Sequence, residues 1–377
     1  MRILFIQDSL GTGGAERSNA ELWYYLRKHN FELRIVVLKH RKEGIENEIL
    51  KEGFNVDFLE NKLWKDIRAL KKIISEFEPD IVHSTLFNSN LRARYARFSK
   101  KFFHIESLVN CPYTQYRFND PKVNAKKLRL YKLLDSITQK FGVDHFHANG
   151  KTVAEHYKMN FDISDQRITI INRGRKQNII NKNALVELQT ELGLNNCNKV
   201  IIINVARQEF QKAQEVVLKA ISQSDLMREE CLLLMVGRNG NLSDEINKII
   251  TESNLINVYQ LGHREDVYSL LKISDIFVFP SRFEGFPGAL IEAEAAGLPI
   301  VCSDIENNLE IVKEGENALI FKTDSVEDLK IKLEELVTNK SMRSLFSKNS
   351  QQIFSENYRI DGIHSQMLEF YRNIIPT

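Results

Sequence analysis

Short apolar runs alternate with longer amphipathic stretches along the whole chain. Runs of this length are typical of buried parallel strands, and the stretches between them predict helices. Because the strand–helix alternation occurs in two series, we predict two α/β units, each with a doubly wound parallel sheet. The runs cover residues 3–6, 34–38, 81–82, 102–105, 145–148 and 168–171, and then 200–205, 232–236, 258–261, 276–279, 300–302 and 319–321.

A polar, asparagine-rich segment at residues 175–199 separates the two series and contains one short helical pattern, at residues 184–192. We therefore predict an N-terminal domain of residues 1–177 and a C-terminal domain of residues 178–360. A length of 377 residues suits two such domains. Apolar side chains at helical spacing predict a last helix within residues 361–377, namely Ile363, Met367, Leu368, Phe370 and Tyr371.

The composition is that of a soluble globular protein, with 43% hydrophobic and 27% charged residues. No apolar run reaches the roughly 18 residues of a membrane span. The chain opens on a strand-like run without the anatomy of a signal peptide. We therefore expect a cytoplasmic protein.

Charge is distributed unevenly: residues 1–180 carry a net charge of +11 and the remainder −9. Such a basic region attracts anionic lipid headgroups, a pyrophosphate carrier or nucleic acid, and the first of these would give a peripheral position at the inner face of the plasma membrane. A solvated helix face is the alternative, and we expect no nucleic-acid partner. The cations concentrate between Arg92 and Lys132, at Arg92, Arg94, Arg97, Lys100, Lys101, Arg117, Lys122, Lys126, Lys127, Arg129 and Lys132.

The most informative segment is residues 281–299, where an apolar run ends and a glycine-rich turn leads into a predicted helix between Pro287 and Gly297. Such a turn places backbone N–H groups and a helix N-terminus at the carboxyl end of a strand, where anions bind. Glu284 lies in the turn and Glu292 within the helix. Both carboxylates can accept hydrogen bonds from sugar hydroxyls.

Glu284-x7-Glu292, in the frame Glu-Gly-Phe-Pro…Glu-Ala-x-Ala-x-Gly-x-Pro, resembles the signature of the retaining glycosyltransferases of family 4, also called group 1. The resemblance implies the GT-B architecture: two Rossmann-like domains facing across a cleft, with the last helix returning to the N-terminal domain. It also implies that Glu284 binds the donor sugar near its reacting carbon and that Glu292 binds the ribose. The backbone that would hold sugar and phosphate belongs to Gly285, Phe286, Pro287 and Gly288.

Arg207 and Lys212 follow the apolar run 200–205 and can clamp a diphosphate as it loses its sugar. Their spacing resembles the Gly-Arg…Lys-Gly pattern of the family, with Ala213 in place of the second glycine. The sequence contains no Asp-x-Asp, the pair that holds a divalent cation in GT-A enzymes. We therefore expect a site that needs neither metal nor cofactor.

Other segments extend the resemblance. The turn with Gly13, Gly14, Glu16 and Arg17 resembles the family's first-turn motif, in which flexible glycines admit donor phosphate and acceptor. Gly237 occupies a Val-Gly turn that resembles a donor-binding loop of the family. Residues 261–267, which include Arg264, resemble the loop of the family that meets the nucleobase, and the resemblance therefore assigns Arg264 to the nucleobase. The predicted acceptor-side residues are Glu16, Arg17, His83, Asn110, Asn172 and Arg173.

Two acceptor-side positions depart from the family pattern. Asn110 stands where many relatives have a histidine, and an asparagine cannot act as a base. Arg173 lies in Ile-Asn-Arg-Gly-Arg, where Pro-Asn-Gly is usual, and the added cations indicate an anionic acceptor or an extra donor contact. For His83, a buried structural role is an equal alternative.

We predict a retaining, metal-independent hexosyltransferase that moves a sugar from a nucleoside diphosphate, taken as UDP, to a glycan or lipid-linked saccharide. Its role would be the synthesis of surface polysaccharide or glycoconjugate. Two alternatives remain open from the sequence. One is a non-catalytic partner subunit that binds a sugar nucleotide, and the other is an epimerase or phosphorylase with the same fold.

Overall fold

The structure, a computed structural model of the chain, describes residues 1–41, 44–178, 180–195 and 197–375. It divides into two compact units. Met1–Tyr113, Pro121–Gly174 and Asp361–Thr377 form the N-terminal unit, and Thr114–Asp120 with Arg175–Ile360 forms the C-terminal unit. The division at Gly174 lies three residues before the predicted boundary at 177, and residues 376–377 of the predicted last segment lie outside the described residues.

The helices separate the strands in chain order. They are α1 (Gly14–Lys28), α2 (Glu46–Lys51), α3 (Leu63–Phe77), α4 (Phe87–Arg97), α5 (Gln115–Asn119), α6 (Ala125–Gly142), α7 (Lys151–Phe161), α8 (Lys182–Glu191), α9 (Gln214–Ser222), α10 (Asp225–Glu230), α11 (Ser243–Glu252), α12 (Val267–Lys272), α13 (Gly288–Ala296), α14 (Glu306–Leu309), α15 (Val326–Thr338), α16 (Lys340–Asn357) and α17 (Ile360–Asn373).

A seven-stranded parallel sheet forms the centre of the N-terminal unit. Its strands are β1 (Arg2–Gln7), β2 (Glu32–Val37), β3 (Asn55–Phe58), β4 (Ile81–Thr85), β5 (Phe103–Leu108), β6 (His145–Ala148) and β7 (Ile168–Ile170). Their order is β3-β2-β1-β4-β5-β6-β7, so the direction of winding reverses between β1 and β4. Parallel neighbours require crossovers, which the helices provide.

Both faces of this sheet are covered, because successive side chains of a strand point to opposite faces. On one face Ile3 and Phe5 pack with α1 and α17, whose Trp23 and Tyr371 are fully buried. On the other face Leu4 and Ile6 pack with α3 and α4. The predicted last helix is thus confirmed as α17, and its five apolar residues lie in the core of the N-terminal unit.

The C-terminal unit contains a six-stranded parallel sheet of order β10-β9-β8-β11-β12-β13. Its strands are β8 (Val200–Val205), β9 (Cys231–Val236), β10 (Val258–Gly262), β11 (Ile276–Phe279), β12 (Ile300–Ser303) and β13 (Ala318–Phe321). Helix α13 packs on one face and helices α9 and α15 pack on the other. Here the winding reverses between β8 and β11.

The structure confirms all of the apolar runs as strands, with ends that shift by at most three residues. The sequence prediction missed β3, an edge strand of the N-terminal sheet. Its apolar Val56 and Phe58 alternate with the polar Asn55 and Asp57, and each side chain is at least partly exposed. Four residues with two apolar positions carry too weak a pattern to indicate a strand.

Arg94 of α4 is buried, with 1% of its surface exposed, and it joins α4 to β5 and α6. Its guanidinium donates to Glu106 at 2.6 and 2.9 Å and to Asp135 at 2.7 Å. Burial alone would lower the pKa of Arg94, but Glu106 and Asp135 raise it above its usual value. The buried guanidinium therefore keeps its charge, and it depends on both carboxylates.

The predicted basic patch is consequently smaller than the sequence indicated. Arg94 is buried as described, and Arg92 is 4% exposed, with its Nε donating to Asp66 at 2.8 Å. Arg97 pairs with Asp144 at 2.5 Å. From the sequence, arginines in the middle of a surface helix are expected to be exposed. In the structure, these three arginines pair with carboxylates from other elements. The exposed cations that remain are Lys101, just before β5, and four residues around α6, namely Lys122, Lys126, Lys127 and Arg129.

We predict that Asp135→Ala lowers the free energy of unfolding by about 3–5 kcal/mol, because it leaves part of the buried Arg94 guanidinium without its partner. Glu155→Ala is the matched control, since it removes a carboxylate that is 47% exposed and pairs with Lys158, and it should cost at most about 1 kcal/mol. Urea unfolding curves measure both. Equal losses in the two variants would contradict a structural role for the Arg94 network.

Candidate functional site

The C-terminal unit places its candidate residues at the reversal point of its sheet. Strands β8 and β11 are neighbours there, and the loops that leave their carboxyl ends carry Lys212 and Glu284. Open α/β sheets bind ligands at this point, because the crossovers on either side leave in opposite directions and open a crevice.

Lys212 and Glu284 form an ion pair of 2.5 Å between Nζ and Oε1. The lysine side chain is 17% exposed and the glutamate side chain 8%. Gln211 donates at 3.3 Å to the second carboxylate oxygen of Glu284 and at 2.8 Å to the backbone carbonyl of Phe283. The structure thus brings together the predicted cation and the predicted sugar-binding carboxylate in a mostly buried position.

Ala213, which replaces the family glycine, follows Lys212 with φ of +50° and ψ of 36°. This is the left-handed region, where glycine is unstrained and an alanine costs about 1–2 kcal/mol. The residue ends the 3₁₀ turn Phe210–Lys212 and begins α9. The backbone therefore keeps the glycine-like conformation that presents Lys212, despite the substitution.

Arg207 pairs with a different carboxylate. Its side chain is 63% exposed, and it contacts Glu209 at 3.0 Å. The sequence predicted Arg207 and Lys212 as one clamp on a diphosphate, but in this structure only Lys212 is paired with Glu284. An exposed arginine is nevertheless free to reorient, since its long side chain has several rotamers.

The turn that carries Glu284 is fixed by residues that sequence analysis missed. Arg282 is mostly buried and donates to Asp324 at 2.7 Å and to the carbonyl of Phe210 at 2.6 Å, and it also pairs with Glu215. Asn307 donates to the carbonyl of Gly285 at 2.6 Å. The sequence shows Arg282 two residues before Glu284, but it does not reveal the partners of Arg282, because they are distant along the chain.

Helix α13 begins after Pro287 and ends at Gly297, which has φ of +79°, so both predicted ends are confirmed. Arg175 covers its N-terminus, and a Cβ at Gly288 would lie 2.2 Å from the guanidinium of Arg175. The same guanidinium donates through Nε to Glu292 Oε1 at 2.7 Å. Glycine at position 288 therefore allows Arg175 to lie against the helix start and contact Glu292.

The remaining residues of this turn have different roles. Phe286 is 1% exposed and packs against Tyr358 in the core, so only its backbone is available to a ligand. Within the helix, Glu292 is 33% exposed in its side chain, whereas Glu294 is fully buried. Of these two carboxylates, Glu292 is the one that a ligand can reach.

Two predicted donor-binding positions take part in structural contacts. Gly237 has φ of +147°, and a Cβ there would lie 2.0 Å from the carbonyl oxygen of Ala206, so a side chain cannot be accommodated. Arg264 donates to Asp266 at 2.8 Å and to Glu191 at 2.8 Å. Its charge is thus already balanced by two carboxylates, and its contact with the nucleobase stays a prediction.

In the N-terminal unit, the loops after β1 and β7 bring Gly14 and Arg173 together. A Cβ at Gly14 would lie 3.2 Å from the Arg173 guanidinium, which therefore lies beside the start of α1. Glu16 folds back toward Gly13, and Ser9 donates to its carboxylate at 3.2 Å. The Arg173 guanidinium and the helix N-terminus are positive and favour an anion, and the Glu16 carboxylate in the same turn offsets part of that charge.

Arg17, Asn110 and Asn172 lie on loops or helix starts at this same edge of the sheet. Arg17 is exposed in the first turn of α1. Asn110 follows β5 and Asn172 follows β7, and both are half-buried. The carboxyl ends of parallel strands share one edge, so these residues border the same side of the sheet as Arg173.

His83 differs from the other predicted acceptor-side residues, because it is a core residue. It is 1% exposed, and its ring nitrogens contact the Tyr371 hydroxyl at 2.6 Å and the Ser107 hydroxyl at 2.7 Å. Burial, and then the charges of His147 and His104, lowers its pKa well below the usual value. With both nitrogens engaged in the core, His83 fits the buried structural role that the sequence left as the alternative.

Within the described residues, no three His, Cys, Asp or Glu side chains are grouped so that they could hold a metal ion.

Comparisons with known sequences agree with the division into two units. A model described as Glycosyltransferase Family 4 matches residues 12–176, and a model described as Glycosyl transferases group 1 matches residues 190–353. The chain is 26% identical over 324 residues to the N,N'-diacetylbacillosaminyl-diphospho-undecaprenol alpha-1,3-N-acetylgalactosaminyltransferase of Campylobacter jejuni, covering 82% of this chain and 81% of that protein. It is 24% identical to the UDP-Gal:alpha-D-GlcNAc-diphosphoundecaprenol alpha-1,3-galactosyltransferase of Escherichia coli, covering 96% and 94%.

Solved structures share the fold along the full length. HepE of Anabaena, solved in complex with UDP and glucose, has a TM-score of 0.85 at 18% identity, with 99% of each chain covered. WaaG, a glycosyltransferase involved in lipopolysaccharide biosynthesis, has a TM-score of 0.78 at 14% identity, with 98% of this chain and 99% of that chain covered. The chain is a glycosyltransferase with the GT-B fold, in which a family 4 domain precedes a group 1 domain.

Proposed function

We propose that this glycosyltransferase moves a hexose-type sugar from a UDP-sugar to a lipid-linked saccharide, with retention of configuration and without a metal ion. The observation that carries the proposal is the Lys212–Glu284 pair, located at the reversal point of the sheet and beside the N-terminus of α13. It combines a cation for the diphosphate with a carboxylate for the sugar.

Lys212 would act on the leaving group. As the bond between the sugar and the diphosphate breaks, negative charge grows on the phosphate oxygen, and an ammonium held in a mostly buried position stabilises that charge. The backbone N–H groups at the start of α13 would add to this stabilisation. These groups would neutralise the diphosphate in place of a divalent cation.

Glu284 would act at the sugar. Gln211 and Lys212 fix its carboxylate, so it is oriented before the donor binds. Positive charge develops near the reacting carbon, and a carboxylate nearby stabilises that charge more than it stabilises the bound donor. For retention, the acceptor oxygen would attack the face that the diphosphate leaves, and the departing phosphate oxygen would take the acceptor proton.

Glu292 would bind the ribose hydroxyls of the donor, with Arg175 holding the carboxylate in place at 2.7 Å. Glu292 is partly exposed, so its second oxygen can accept from a ligand. The partly buried Arg175 lies beside the helix N-terminus and adds positive charge there.

The acceptor would bind to the N-terminal unit, at the sheet edge with Arg17 and Arg173. Two cations near a helix N-terminus fit an anionic group such as a diphosphate. This supports a lipid-linked saccharide, because relatives from Campylobacter jejuni and Escherichia coli are named for diphospho-undecaprenol acceptors.

Two measurements test the proposal together. The first is the melting temperature of the protein with UDP, GDP, ADP or UDP-sugars, since a ligand that binds only the folded state raises it. The second is turnover of the stabilising UDP-sugar with and without a diphosphate-linked saccharide acceptor. Binding without turnover would identify the non-catalytic partner subunit, and conversion of the donor without acceptor would identify an epimerase or phosphorylase.

We predict that Lys212→Ala lowers kcat by about 100- to 1000-fold, because it removes a preorganised charge from the leaving diphosphate. Arg207→Ala tests the second predicted cation in the same assay, and its retention of activity would restrict the clamp to Lys212. The control is Lys219→Ala, an exposed lysine of α9. Activity of Lys212→Ala within twofold of wild type would contradict this role.

Substitution of Glu284 and substitution of Glu292 should affect different kinetic constants. Glu292→Gln should mainly raise the donor KM, because ribose binding is equal in the ground and transition states. Glu284→Gln should mainly lower kcat, because its charge matters most when the sugar becomes positive. Initial-rate kinetics at varied donor concentration measure both, and the reverse pattern would show that the two roles are exchanged.

We also predict that EDTA leaves turnover unchanged, because protein groups would neutralise the diphosphate. Initial rates before and after treatment, and after addition of Mg²⁺ or Mn²⁺, provide the measurement. Loss of activity in EDTA with recovery on adding either ion would refute metal independence.

A further inference from the structure

Helix α6 of the N-terminal unit carries a row of exposed apolar side chains. Leu130, Leu133, Ile137 and Phe141 are 53%, 55%, 52% and 71% exposed. At 100° per residue, these four positions fall within a stripe of about 80°. Scattered exposed apolar residues are normal on a protein surface, but four in register on one helix form a continuous strip.

The opposite face of α6 is the buried one, and it is mostly polar. Its buried residues are Leu128, Asp135, Thr138, Gln139 and Gly142. Asp135 and Thr138 both accept from Arg94, at 2.7 and 2.9 Å. A surface helix normally buries its apolar stripe and exposes its polar face. Helix α6 has the opposite arrangement, with its polar face buried and its apolar row exposed, because an ionic network holds it to the unit.

Cations border the apolar row. Lys126 lies in line with it at the N-terminal end, while Arg129 and Lys140 lie on one flank and Lys127 on the other. All four are exposed. The acidic residue of the helix, Asp135, is buried on the opposite side. The outward surface therefore combines apolar side chains with positive charge.

We propose that this outward surface, which we call the α6 face and define as Leu130, Leu133, Ile137, Phe141 and the cations Lys126, Lys127, Arg129 and Lys140, lies on an anionic lipid bilayer. The helix would lie in the plane of the membrane, with its apolar row among the acyl chains and its cations at the headgroups. No helix among the described residues could cross a membrane. The inference stands on the N-terminal unit alone and adds a location to the proposed function.

Charge argues against a second copy of the chain as the occupant. In a two-fold symmetric contact through the α6 face, four cations of one copy would meet the same four of the other. The face offers no exposed carboxylate to pair with them, so like charges would oppose association. Anionic headgroups provide the complementary charge for these cations, and acyl chains provide the complement for the apolar row.

The test is co-sedimentation of the full chain with phosphatidylcholine vesicles, with and without phosphatidylglycerol. Wild type should bind the vesicles that contain phosphatidylglycerol and lose binding at high salt. Leu133→Glu with Ile137→Glu should weaken binding at least about tenfold. Lys126→Ser with Lys127→Ser and Arg129→Ser should weaken it by about fivefold for each cation removed.

The control variant is Ile331→Glu with Leu345→Glu, which makes the same change at apolar side chains of the C-terminal unit that are 49% and 55% exposed. It should bind vesicles like wild type. Melting curves with and without UDP establish that each variant is folded, and they report donor binding separately from vesicle binding. Absence of vesicle binding by a wild type that binds UDP would overturn the membrane inference and leave the proposed function standing.

Two other results would also overturn the inference. One is equal binding to both kinds of vesicle, unaffected by the α6 substitutions. The other is a dimer in sedimentation velocity without lipid that becomes monomeric in Leu133→Glu with Ile137→Glu, which would identify a second copy as the occupant.

Discussion

The parallel arrangement of the strands is the constraint on which the rest of the structure depends. When every strand of a sheet runs the same way, each connection must cross over through a helix, and all the loops after the strands meet at one edge. In the C-terminal unit this brings the loops after β8 and β11 together. Lys212 and Glu284 are 72 positions apart in sequence but 2.5 Å apart in space for this reason.

The site then depends on polar contacts that hold its loops rather than on apolar packing. Arg282, with its carboxylate and carbonyl partners, holds the turn before Glu284. Ala213 keeps a left-handed backbone that glycine would adopt more easily. Strain of this kind persists where surrounding contacts fix the conformation, as they do around the 3₁₀ turn next to Lys212.

Local pattern was sufficient for most of the fold, because buried parallel strands are continuous apolar runs. It failed at β3, where the strand is half-exposed. For the site, the segment from Glu284 to Glu292 could be interpreted because its residues are close in sequence. The partner of Glu292 could not be predicted, since Arg175 lies 117 positions away. Burial of Arg94 was equally hidden, because it depends on partners from other elements of the N-terminal unit, whereas for His83 the sequence left burial as one of two alternatives.

Helix α6 shows what such long-range pairing permits. A helix whose apolar stripe must fill the core leaves only polar residues for the surface. Because Asp135 and Thr138 attach α6 through Arg94, its large apolar side chains are not needed for that attachment. They remain available for contacts outside the unit, at the cost of exposing apolar area to water when no partner is bound. The buried ion network and the exposed apolar row are therefore two consequences of the same reversed helix.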